Sequence, residues 1–98
     1  MTRTEYHPEF SNDLAAAARY LETREDGLGG RFIDCVESAC REIQANPLHH
    51  SYLDKPVRRI IVRPFSYAVH YALVEDDELF IYGVYHCAMT PEQWAERR

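Results

Sequence analysis

The chain has 98 residues, 46% hydrophobic and 28% charged, with 11 Lys and Arg against 16 Asp and Glu for a formal charge of −5. That length supplies one modest core with no room for a second, and the composition excludes a disordered or collagen-like chain. No apolar run nears the ~20 residues of a membrane span and residues 1–10 lack the apolar stretch of a signal peptide, so the expectation is one cytoplasmic domain over residues 1–98.

In chain order, Arg3 to Tyr6 form a short candidate strand. Phe10, Leu14, Ala17, Ala18 and Leu21 then recur at the spacing of one helical face. Pro8 suits a first helical turn, Glu9 and Asp13 suit the positive end of the helix dipole, and the alanine run from Ala15 to Ala18 favours helix. Together they predict a helix over residues 8–25. Asp26-Gly27 and Gly29-Gly30 punctuate the chain. Phe32, Val36, Ala39, Cys40 and Ile43 repeat the helical pattern until Asn46-Pro47, because proline disfavours helix at the residue before it. The short glycine-rich link predicts an antiparallel helical hairpin whose two apolar stripes face a common partner.

Beyond Pro47 the period changes to two. Residues 58–63, 66–74 and 79–86 are rich in β-branched and aromatic side chains, with Pro64 marking one turn and the acidic Glu75-Asp76-Asp77-Glu78 segment the next. They predict a three-stranded antiparallel meander. Thr90-Pro91-Glu92-Gln93 has the form of a capping box opening a short helix that carries Trp94. The predicted order is β-α-α-β-β-β-α, an α+β fold with the helical hairpin packed on one face of an antiparallel sheet.

Chemistry is sparse. The three cysteines include no Cys-X-X-Cys, and Cys35 and Cys40 point about 140° apart on one helix, so they are expected to be reduced thiols. The histidines lack the spacing of a metal site, and the glycines precede a helix without a phosphate-loop Lys. His49 and His50 fall in a loop, and His70 falls on a strand. His86, at a strand end beside Tyr82 and Tyr85, is the best acid–base candidate. Residues 55–65 carry four basic and no acidic side chains, namely Lys55, Arg58, Arg59 and Arg63. Strand alternation places Arg59 and Arg63 on one face and Arg58 on the other. Such a patch suits phosphate or an acidic partner, whereas direct nucleic-acid binding would call for a chain basic overall.

The chain resembles the RelE/ParE superfamily of bacterial type II toxins on its ParE, or plasmid-stabilisation, side. The likeness runs through His7-Pro8, Leu14, Tyr20, Gly27-Leu28-Gly29, Phe32, Asn46-Pro47 and Val57-Arg58-Arg59. It continues through Arg63-Pro64-Phe65-Ser66-Tyr67, Tyr71, Val84-Tyr85-His86 and Pro91-x-x-Trp94 near Arg97. The resemblance implies a RelE/ParE-like fold and a toxin neutralised by a cognate antitoxin of ParD-like, ribbon-helix-helix type. No cofactor and no metal are expected. ParE-like members are associated with poisoning DNA gyrase by binding, whereas RelE-like members cleave mRNA on the ribosome. Many relatives carry arginine where this chain has Ala68 and Met89, and losing a guanidinium near a scissile phosphate removes transition-state stabilisation. That favours a binding toxin over an enzyme. A RelE-like endoribonuclease and a degenerate toxin retaining only antitoxin binding stand as alternatives. Antitoxin or target contacts are expected at Arg58, Arg59, Arg63, Tyr71, His86 and Trp94.

Overall fold

The computed structural model describes residues 3–75 and 78–96. Its elements are β1 (Arg3–Tyr6), α1 (Phe10–Arg24), α2 (Leu28–Ala45), β2 (Tyr52–Asp54), β3 (Val57–Ile61), β4 (Tyr67–Glu75), β5 (Glu78–His86) and α3 (Pro91–Ala95). One sheet contains all five strands in the order β1-β5-β4-β3-β2. The α+β class, the helical hairpin and the meander are as the sequence predicts. Two features differ. β2 is an added strand, and β1 pairs parallel to β5, with Tyr6 opposite Ile81, so the sheet is mixed and not antiparallel throughout. Tyr52-Leu53-Asp54 is too short to display an alternation, and β1 reaches the sheet before the helical crossover, so no tight turn fixes its direction. Asp76 and Asp77 of the expected turn, and Arg97, lie outside the described residues.

α1 starts two residues later than its pattern predicts. His7 Nδ1 accepts the Glu9 N–H at 3.0 Å and the His7 carbonyl accepts the Phe10 N–H at 2.9 Å, so Pro8 and Glu9 form a turn ahead of the helix. At the hairpin, Gly27 has φ 84°, a left-handed conformation that glycine adopts without steric cost. The Glu22 carboxylate accepts the N–H groups of Gly27 and Gly29, each at 2.9 Å, and so caps the start of α2 from the preceding helix. A Cβ at Gly29 would fall 2.6 Å from the Ala18 carbonyl oxygen; the missing side chain is what lets the two helices approach.

The core lies between this hairpin and the sheet. Phe32, Val36 and Ile43 of α2 and Ala17 and Ala18 of α1 pack against Val69, Tyr71, Leu79 and Ile81, all buried. Phe32 makes edge-on contacts with Phe65 and Tyr67 at 5.1 and 4.9 Å between ring centroids. On the opposite sheet face Trp94 of α3 closes over His70, with centroids 5.5 Å apart, and His70 lies 4.5 Å from Tyr85. The Thr90–Gln93 capping box holds α3 at its start.

Candidate functional site

The sheet is wider in the middle than at its margins, and this exposes strand edges. β1 meets β5 only as far as Ile81, and beyond that point the N–H of Val84 is taken by Asp13 Oδ2 of α1 at 3.3 Å. On the other margin β2 pairs with β3 only at Val57 and Arg58, with one further bond from the Arg59 N–H to the Ser51 carbonyl at 3.2 Å. The Val62 N–H bonds the Tyr67 carbonyl at 2.8 Å, so the even-numbered residues of β3 bond β4 and the odd ones turn outward. Ile61 therefore directs its N–H and C=O away from the sheet, and no strand among the described residues lies on that side of it.

This open edge floors a groove of about 630 Å³ between β3 and α2. Cys35, Ser38 and Glu42 of α2 form one wall, and Arg59 and Arg63 stand on the strand side. His50 closes one end, its Nε2 3.2 Å from Glu42 Oε2, an ion pair only when the ring is protonated. The shape suits an extended peptide that adds a strand to the sheet, and the two guanidinium groups suit acidic side chains on it.

Arg58 serves the groove from beneath. Its guanidinium donates to the His50 carbonyl at 2.6 Å and the Leu48 carbonyl at 3.4 Å, and lies 3.9 Å from the Tyr52 ring centroid. Tyr71 donates to the Pro47 carbonyl at 2.7 Å, and burial pushes its phenol pKa up to about 12. These two side chains pin the loop that leaves α2 after Asn46-Pro47, and that loop forms the groove's end. Tyr71 and Trp94, expected among the partner-contacting residues, are packed in the interior at 0% and 8% exposure. Large aromatic rings gain most when fully removed from water.

His86 is not part of the groove. It ends β5 opposite Tyr67, with the rings 5.1 Å apart, in a separate pocket that it shares with Arg24. Its Nδ1 accepts the Ala88 N–H at 3.0 Å, which leaves the proton of the neutral ring on Nε2. In that tautomer the exposed Nε2–H is a hydrogen-bond donor and the basic Nδ1 is already engaged by the Ala88 N–H. The arginines of residues 58–63 and His86 thus do not converge on one point, as in-line attack on a phosphodiester would require. Among the described residues no three His, Cys, Asp or Glu side chains come together as a metal ion would need, and no helix is long and apolar enough to cross a membrane.

The family described as the ParE toxin of the type II toxin-antitoxin system, parDE, matches residues 4–91. The chain belongs to the ParE toxin family. Among solved structures it is similar to the chromosomal ParDE TA system from P. aeruginosa, with a TM-score of 0.72, 12% identity, and coverage of 88% of this chain and 96% of that one. At that identity the likeness is one of fold. No curated protein matches the chain. Most of the polar contacts that shape this ParE fold leave little trace in the sequence. Asp13 is visible there only as a first-turn acid, Glu22 as one charge on a helix, and Ile61 as one more β-branched residue.

Proposed function

We propose that this ParE family toxin acts by binding, and that a cognate antitoxin neutralises it by laying an extended acidic segment along the open edge of β3. The observation that carries the proposal is the groove itself, in which the outward backbone groups of Ile61 lie between Arg59 and Arg63. An added strand would gain main-chain hydrogen bonds there, and acidic side chains would gain charge-assisted ones. A ribbon-helix-helix dimerisation module on that antitoxin, a cytoplasmic location and DNA gyrase as the poisoned target complete the proposal. Gyrase is favoured over mRNA because, among the described residues, Arg24 alone of the basic side chains other than His86 itself lines the pocket of His86, whose exposed nitrogen is a hydrogen-bond donor, and because Ala68 is buried in the sheet and brings no charge there.

Two assays run side by side test the toxic mechanism. Purified toxin should inhibit gyrase supercoiling and leave mRNA intact in a translation reaction, and folded His86→Ala should keep that inhibition. Ribosome-dependent mRNA cuts by the natural protein that vanish in folded His86→Ala would instead establish the endoribonuclease. Absence of both activities, with antitoxin binding retained, would mark a toxin that has lost its target.

A further inference from the structure

A second cavity, of about 280 Å³, lies where the end of α1, the start of α2 and the ends of β4 and β5 meet. Its walls are aromatic and aliphatic, with Tyr20, Tyr67 and Phe65 beside Leu21 and Leu28. Each of its polar side chains can donate a hydrogen bond. Arg24, His86, Ser66 and the tyrosine hydroxyls offer donors, and among the described residues no carboxylate lines the cavity. The protonation pattern is set by local contacts. Arg24 Nη1 donates to the Tyr20 hydroxyl oxygen at 2.9 Å, so the Tyr20 O–H is left to donate onward. The bond from the Ala88 N–H to Nδ1 leaves Nε2–H as the donor of the neutral His86 ring. Burial, with the neighbouring Tyr20 phenol as a smaller cause, raises the Tyr67 pKa and keeps that hydroxyl protonated.

A set of donors with no carboxylate among the described lining residues fits an anion. Two ring faces, Tyr67 and the half-exposed Tyr20, fit a flat group that stacks between or against them. The volume sits at the low end for small-molecule sites and accommodates one ring system with one anionic group. We propose that this pocket binds a carboxylate or phosphate anion carried on a planar aromatic ring. The ring stacks on Tyr20 and Tyr67 while the anion takes the Arg24 guanidinium and the His86 Nε2–H. The site is separate from the β3 groove and does not depend on what occupies that groove.

Amide spectra of the isotopically labelled chain, paired with calorimetry, test this. The probes are the four nucleoside 5′-monophosphates and indole-3-acetate, with adenosine, indole, inorganic phosphate and acetate as partial ligands. At least one ring-plus-anion probe should shift the amides of Arg24, Ser66, Tyr67 and His86, with affinity at least tenfold above its ring or its anion alone. A nucleotide hit assigns a mononucleotide source, and an indole-3-acetate hit an aromatic acid. Arg24→Gln should weaken the effective probe by about tenfold, Tyr20→Ala should weaken it as well, and Arg19→Gln, an exposed arginine of the same helix outside the cavity, should leave it unchanged. The proposal is overturned if no probe moves these amides at millimolar concentration. It is equally overturned if Arg24→Gln and Arg19→Gln weaken binding alike, which would reveal general attraction to positive charge.

Discussion

Past Ile81, β5 runs on with no strand of the described residues at its outer side, and past Arg59, β3 does the same at the same end of the sheet. On the β5 side a helix turns in and Asp13 takes the Val84 N–H. On the β3 side α2 stands off across a groove, and the outward groups of Ile61 lie between two arginines of their own strand edge. An unpaired strand edge invites another chain, and natural proteins close such edges or blunt them with charge. β1, the outermost strand beside β5, is blunted in this way by Arg3, which lies 3.4 Å from Glu5 and 3.5 Å from Glu78. The contrast separates an edge closed for stability from an edge kept for a partner. Damage to the first should appear in folding, and damage to the second in association.

The largest effect is expected at the open edge. Reversing both Arg59 and Arg63 to Glu should weaken antitoxin binding at least a hundredfold at low salt, about 3 kcal/mol, and the deficit should shrink as ionic strength rises. Titration calorimetry at two salt concentrations reads this, with a thermal melt to confirm that the variant folds. Ile61→Pro comes next. It deletes the outward N–H without touching the bonds to β4, so the fold should persist as edge prolines allow, while binding falls about tenfold to a hundredfold. If either variant binds as well as the natural chain, the partner does not use this edge.

Smaller effects belong to the closed side. Asp13→Ala strands a part-buried backbone donor and should cost roughly 1–2 kcal/mol in urea denaturation, with antitoxin affinity unchanged in the folded protein. Glu22 gives a pH signature. The N–H of Gly27, then that of Gly29, lowers its pKa below the ordinary carboxylate value, so its stabilising contribution is present at neutral pH and is lost as pH falls through the lowered folded-state pKa. Melting temperatures of the natural chain and Glu22→Gln should therefore differ at neutral pH and converge in acid. Curves that stay parallel to the lowest pH would show that Glu22 contributes through packing alone.

The hairpin is legible in the sequence because Phe32, Val36, Ala39, Cys40 and Ile43 repeat at helical spacing, and all five are buried against one sheet face. The meander is legible for the same reason at period two. Pairings over long sequence separation are not. Nothing local tells that Arg3–Tyr6 runs beside β5, that Asp13 reaches Val84, or that the Ile61 edge is bare, because each depends on which strand ends first. Charge located the arginine segment but could not divide its labour: the Arg58 guanidinium holds a loop by that loop's carbonyls, and Arg59 and Arg63 border the groove along the strand edge. Tyr71 and Trp94 stand out in sequence as aromatics of the family pattern, and burial gives them structural work.

Hydrogen exchange at single amides compares the two edges in one experiment. In the free protein the Ile61 N–H should exchange far faster than that of Val84, which Asp13 holds. On adding the cognate antitoxin, Ile61 should become protected by at least a hundredfold while Val84 changes little. An Ile61 amide already protected in the free chain, or one that the antitoxin leaves unchanged, would contradict the account.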